Sequence, residues 1–240
     1  MKKDYTKIIF VVDRSGSMES IAKDIIGGYN KFIADQKALN YGTCDVSFYQ
    51  FDTLYEAVYE NTPIAFVKDL DEKTFVPRGG TALYDAVGTT IENVGKTLAA
   101  LKEEERPDKI LFVILTDGGE NSSTKFKGSQ VKAMLEHQNT IYKWQFTYIG
   151  ANQDAWATGE SLGIRYASNL TYNATKGGTA AMFQSLTNNA TLYRTNVKST
   201  YDYELSDIDA QAAEGTPLDA SAVKDKLLKS KASKVTTPNP

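Results

Sequence analysis

Apolar residues run unbroken through Ile8-Ile9-Phe10-Val11-Val12 and stop at Asp13, and the same form returns at Ile110-Leu111-Phe112-Val113-Ile114-Leu115 before Thr116-Asp117-Gly118. Runs of this length, rich in β-branched and aromatic residues, predict strands buried on both faces, as in a parallel sheet. Between them the spacing becomes helical. Met18, Ile21, Ile25, Tyr29, Phe32 and Ile33 share one face before Asn40-Tyr41-Gly42. Leu83, Val87, Ile91, Val94, Leu98 and Leu101 share another before the charged run from Lys102 to Arg106 and Pro107. Two strand-like runs, Cys44 to Phe51 and Leu54 to Tyr59, are parted only by Asp52-Thr53 and predict an antiparallel edge hairpin. A helix around Gln130 to Gln138, a strand from Trp144 to Gly150, a helix near Asp154 to Leu162, a short last strand near Ile164 to Ala167 and a closing helix from Thr175 to Val197 complete the expected order.

This alternation predicts an α/β fold: a doubly wound, mostly parallel central sheet with one antiparallel edge strand and helices on both faces. One domain over residues 1–199 is expected. From about Thr200 the apolar density falls, and Lys224 to Pro240 is rich in Lys, Ser, Thr and Pro. Residues 200–240 are therefore expected to form a mobile C-terminal extension.

Charge and composition narrow the partners. A formal net charge of -3 gives no field that would draw nucleic acid or an anionic membrane. No apolar run approaches the roughly 20 residues needed to cross a bilayer. Cys44 is the only cysteine, so no intramolecular disulfide forms, and Met1 to Tyr5 leads straight into the first strand without the features of a signal peptide. A cytoplasmic protein is expected. The single histidine, His137, excludes His-rich zinc sites and reads as a surface residue late in a helix.

In open α/β sheets, ligands bind beyond the carboxyl ends of strands where the strand order reverses. Asp13 and Asp117 stand at two such ends. Asp13-x-Ser15-x-Ser17 would let a tight loop turn one carboxylate and two hydroxyls toward one point, although helix capping explains the same triplet equally well. Pro77-Arg78-Gly79-Gly80-Thr81-Ala82-Leu83 presents a further hydroxyl at a helix start, and Asp117-Gly118-Gly119 a further carboxylate. Few protein ligands and neutral hydroxyls suit Mg2+, which keeps water or ligand oxygen in its octahedral shell. Asp52 and Asp85 are expected to orient neighbouring groups or to cap turns, Arg14 and Arg78 to hold an acidic ligand or lie on the surface, and Gly119 to Ser123 to form a polar loop beside the site.

These residues resemble the von Willebrand factor A domain with its metal-ion-dependent adhesion site. Asp13, Ser15 and Ser17 match that family's first loop, Thr81 in Gly-Gly-Thr-Ala-Leu its second and Asp117 in Thr-Asp-Gly its third, over about residues 5–195. The resemblance implies that Ser15, Ser17 and Thr81 bind metal through hydroxyls. It implies that Asp13 and Asp117 act directly or through water, with Thr81 and Asp117 exchanging roles between closed and open forms. It implies a non-enzymatic binding module in which Mg2+, or Mn2+ or Ca2+ in its place, meets an Asp or Glu of a protein partner. Cytoplasmic one-domain members occur in bacterial stress resistance, ATPase adaptors and phage or defence systems.

The competing reading is a metal-dependent phosphohydrolase or phosphotransferase with Asp13 as nucleophile or ligand. Such chemistry usually places a second carboxylate two positions later, where this chain has Ser15. Neither a Gly-x-Gly-x-x-Gly nor a Walker-type Gly-Lys-Ser occurs, which argues against a nucleotide site.

Overall fold

The computed structural model describes residues 1–215 and 219–232. Six strands, β1 (Lys2–Asp13), β2 (Thr43–Phe51), β3 (Tyr55–Pro63), β4 (Pro107–Thr116), β5 (Gln145–Ala151) and β6 (Asn169–Tyr172), form one sheet in the order β3-β2-β1-β4-β5-β6. Only β3 runs antiparallel, paired to β2 across the Asp52–Leu54 turn. The sheet has the expected architecture. Its order reverses between β1 and β4, neighbours in register from Thr6 opposite Lys109 to Val12 opposite Leu115, so Asp13 and Asp117 emerge side by side at the switch point.

Among the described residues seven α-helices pack around the sheet: α1 (Ala22–Ala38), α2 (Leu83–Ala100), α3 (Gly128–Tyr142), α4 (Ala155–Ser161), α5 (Lys176–Arg194), α6 (Leu205–Ala213) and α7 (Ala220–Ala232). Successive strand residues point to opposite faces. Thus Ile8, Phe10 and Val12 pack with Ile25, Tyr29 and Phe32 of α1 and Met182, Phe183 and Leu186 of α5. Ile9 and Val11 pack on the other face with Leu83, Val87 and Ile91 of α2 and Val131 and Leu135 of α3. This explains why β1 reads as an unbroken apolar run: both of its faces lie under helices. Among the described residues no helix is long and apolar enough to cross a membrane.

Two expectations differ from the structure. The last strand is Asn169–Tyr172, whereas Tyr166–Ser168 forms a 3-10 turn. Ile164 and Ala167 are buried by packing without being extended, and Asn169 and Thr171 gave the true strand a polar appearance. The expected mobile extension is ordered over residues 201–215 and 219–232. Tyr201, Tyr203, Ile208, Val223 and Leu227 are widely spaced yet buried in the α1/α5 core, and Glu204 pairs with Lys198 and Lys231. A few well-placed aromatic and aliphatic anchors suffice where average composition suggests too little apolar surface. Residues 233–240 of that extension lie outside the described residues.

Candidate metal centre

Three loops meet above β1 and β4. In the first, Asp13 ends β1 fully buried, and its carboxylate turns back along the loop to accept the Ser15 N–H at 2.6 Å. Its other oxygen accepts the Thr116 hydroxyl of β4, also at 2.6 Å. Ser15 Oγ lies 3.0 Å from Ser17 Oγ, and Ser17 Oγ donates to Asp117 Oδ1 at 2.6 Å. Asp13, Ser15, Ser17 and Asp117 are therefore joined in one polar chain around the switch point.

Thr81 approaches from the second loop. A Cβ on Gly118 would lie 3.6 Å from Thr81 Oγ1 and 3.8 Å from Ser17 Oγ, so the two hydroxyls border the same small space, kept open by glycine. Thr81 is 3% exposed, and its hydroxyl makes no hydrogen bond among the described residues. The backbone around it is pinned: Thr81 N–H donates to Asn121 Oδ1 at 2.9 Å, and Thr81 C=O accepts from the N–H groups of Asn121 and Ser122.

Burial pushes the Asp13 carboxyl up to about 6, against the lowering effect of the Thr116 and Ser15 hydrogen bonds, and the nearby Asp117 charge adds to the rise. Burial also raises Asp117, opposed by the Ser17 hydrogen bond. Two desolvated carboxylates sharing a crevice favour either a proton or a cation. Five oxygens, two from carboxylates and three from hydroxyls, form a donor set of the kind that hard divalent cations take. Among the described residues no three His, Cys, Asp or Glu side chains cluster to hold a metal.

The other candidates have different work. Arg14 is 3% exposed and turns away from the crevice, its Nε donating to Asp52 Oδ2 at 3.0 Å and its Nη1 lying 2.8 Å from Glu56 Oε2. Arg78 Nε reaches the same Asp52 oxygen at 2.8 Å. Arg14 is thus buried against Asp52 and Glu56, whereas Arg78 is half-exposed and bonded to Asp52 through Nε. Burial alone would raise Asp52, but the Arg78 hydrogen bond, the Leu54 N–H and the two guanidinium charges hold it below the usual carboxylate range. Asp85 accepts the N–H groups of Thr124, Lys125 and Phe126 at 2.8, 2.9 and 2.7 Å, which shapes the third loop. Glu120 folds inward: Oε2 accepts Tyr84 N–H at 2.9 Å, satisfying a donor at the start of α2, and Oε1 accepts Ser122 N–H at 2.9 Å and Ser123 N–H at 2.7 Å within its own loop. His137 is exposed on α3, edge-on to Tyr142. Asn121, which accepts Thr81 N–H, belongs to the polar loop expected beside the site, whereas Thr116, which donates to Asp13, was not singled out from the sequence. The one available signal was a lone polar residue, Thr116, closing an apolar strand directly before Asp117.

A central sheet of this order with its crevice at the β1/β4 switch is the fold of the von Willebrand factor A domains. Solved structures with that fold match the chain. Proximal thread matrix protein 1 from the mussel byssus, solved with a zinc-occupied MIDAS motif, aligns with TM-score 0.55 and 14% identity over 77% of this chain and 47% of that one. The PilB minor pilin from Streptococcus sanguinis aligns with TM-score 0.56 and 12% identity over 81% and 63%. The vWF domain of the type V pili tip protein Mfa5 from Porphyromonas gingivalis aligns with TM-score 0.54 and 9% identity over 78% and 95%. The chain thus spans about half the length of the byssus protein and nearly all of the isolated pilus-tip domain. No family model and no curated protein sequence matches it.

Proposed function

We propose that this chain is a metal-dependent protein-binding module. Asp13, Ser15, Ser17, Thr81 and Asp117 hold a divalent cation, Mg2+ in the first instance, and an Asp or Glu side chain of a protein partner completes the shell. The observation that carries this reading is the chain of oxygens from Ser15 through Ser17 to Asp117, at 3.0 and 2.6 Å, beside a fully buried Asp13 whose neighbouring arginine is committed elsewhere. The byssus protein with its zinc-occupied motif supports divalent-metal binding on this fold.

When bound, a hard divalent cation supplies concentrated positive charge and coordination positions open to a carboxylate. The residues here prepare that state. Asp13 is oriented by Ser15 N–H and Thr116 Oγ, so its lone pairs are fixed before any ion arrives. Three of the five donors are neutral hydroxyls, which leave much of a bound ion's charge for an incoming anion. The same logic disfavours phosphoryl-transfer chemistry, because the position two residues after Asp13 carries a hydroxyl in place of a second carboxylate.

Calorimetry with Mg2+ tests the first half and an affinity pull-down with Mg2+ or EDTA the second. The expected result is a single Mg2+ site and protein partners retained only with metal. A ligand confined to the native state adds RT ln(1 + [L]/Kd), about 2.7 kcal/mol at a hundredfold excess over Kd. Absence of Mg2+ and Mn2+ binding, or turnover of a generic phosphate ester, overturns the reading.

A further inference from the structure

We infer that Arg78 is a positioning residue that, through Asp52 and Arg14, holds the Thr81 loop against the Ser15–Ser17 loop, so that both respond to metal as one unit. This rests on the metal-binding reading above and adds to it a device in this chain's own sequence. Thr81 Oγ1 has no hydrogen bond of its own, so its position is set by its backbone. On the α2 side that backbone is pinned by Asn121 and Ser122. On the other side it is held by backbone bonds from Arg78, Gly79 and Ala82, reinforced by the Arg78 side chain on Asp52.

The geometry is specific. Asp52 is 1% exposed, and its Oδ2 accepts the Nε–H of Arg14 at 3.0 Å and of Arg78 at 2.8 Å. Its Oδ1 accepts Leu54 N–H at 2.7 Å. Arg14 sits between Asp13 and Ser15, and Arg78 three residues before Thr81, so one buried carboxylate cross-links the two loops. Backbone bonds run parallel to this link: Arg78 N–H donates to Arg14 C=O at 2.8 Å, Gly16 N–H to Gly79 C=O at 3.2 Å and Ala82 N–H to Asp52 C=O at 3.0 Å. Gly79, at φ +67°, turns the chain between them, and a Cβ there would lie 3.1 Å from Thr53 Oγ1. Charge-assisted bonds are stronger and more directional than the backbone pairs they reinforce, and Asp52 keeps its charge because both guanidiniums favour it. Arg78 is half-exposed, so its removal leaves Arg14 to neutralise Asp52 and the fold intact.

Hydrogen–deuterium exchange with and without Mg2+ on wild type, Arg78→Ala and Arg78→Lys tests this. In wild type, Mg2+ should slow exchange of amides in both 14–18 and 78–82. In Arg78→Ala, residues 14–18 should keep their response while 78–82 loses more than half of its own, with the midpoint of thermal unfolding measured in parallel to confirm folding. Arg78→Lys should recover part of the response, since it keeps the charge but not the planar fork. An undiminished Mg2+ response at 78–82 in Arg78→Ala overturns the inference. A wild-type protein whose 14–18 segment ignores Mg2+ overturns the metal reading itself and this inference with it.

Discussion

Ser17 Oγ donates to Asp117 Oδ1 at 2.6 Å, joining residues 100 positions apart in the chain. The contact exists because β1 and β4 are adjacent parallel strands, so the loops that follow them leave the sheet at the same edge. A carboxylate held by a hydroxyl in this way is preorganised. The relationship makes the two loops a single unit whose components can be tested separately.

Asp13→Asn should separate the cost of the buried charge from its use. The Asp13 carboxyl is raised from 3.8 to about 6, so at neutral pH without metal the ionised form costs the fold about 3 kcal/mol, taking ~1.4 kcal/mol per pKa unit. The amide keeps the shape and the Ser15 N–H acceptor while shedding the charge. Without metal, chemical denaturation at pH 7 should find Asp13→Asn at least as stable as wild type, and calorimetry should find its Mg2+ affinity reduced more than tenfold. Undiminished Mg2+ affinity would place the ion elsewhere.

Acid should weaken metal binding. A carboxyl whose folded pKa, about 6, lies above its unfolded value of 3.8 binds its proton more tightly when folded. The stability that this proton confers is fully present below about pH 3.8 and is lost as pH rises through about 6. A cation competes for the same oxygens, so the Mg2+-induced rise in Tm at fixed Mg2+ should grow from pH 5 to pH 7. Apparent affinity should fall about tenfold per pH unit below 6, the limit for one displaced proton. Asp117, shifted in the same direction, steepens the trend. A Mg2+ response that is flat from pH 5 to 7 contradicts this coupling.

The strand-terminal aspartates and hydroxyl-rich loops were legible because they depend on local order: an apolar run, then a carboxylate, then small residues that cannot continue a strand. The central strands were legible for the same reason. The directions of Arg14 and Arg78 were not, because nothing in a local pattern shows that both meet at Asp52, which lies in the turn after β2. Thr116 was hidden likewise, since its partner Asp13 lies 103 residues away. The extension after Thr200 failed differently: its average polarity was read correctly, but Tyr201, Tyr203 and Leu227 are each fully buried against helices distant in sequence.

Asp85→Ala should damage stability without abolishing metal binding. Its carboxylate accepts three successive amide N–H groups from Thr124 to Phe126, and it lies below the usual carboxylate range because these bonds outweigh the effect of burial. Removing it leaves those donors to water at a partly exposed site, a loss of about 1–2 kcal/mol. Urea denaturation should show that loss, while Mg2+ affinity stays within a few-fold of wild type. Complete loss of Mg2+ binding in a folded Asp85→Ala protein would instead make Asp85 part of the centre.

Thr81 provides the sharpest separation of metal binding from partner binding. Its hydroxyl faces the space beside Gly118 and Ser17 without a hydrogen bond of its own, so Thr81→Ala breaks no hydrogen bond and should cost about 1 kcal/mol of stability through the buried methyl it also removes. Asp13, Ser15, Ser17 and Asp117 remain, so Thr81→Ala should retain most of its Mg2+ affinity. A partner carboxylate, however, draws an ion toward positions where a neutral oxygen leaves its charge undiminished, and a hydroxyl serves there better than a mobile water. Surface plasmon resonance against a partner recovered in the Mg2+-dependent pull-down should therefore show at least a tenfold loss for Thr81→Ala. Thr81→Ser, which restores the oxygen without the methyl, should recover most of it. Equal partner affinity for wild type and Thr81→Ala would show that this loop only turns the chain into α2, and that the partner meets the ion from the side of Asp117 alone.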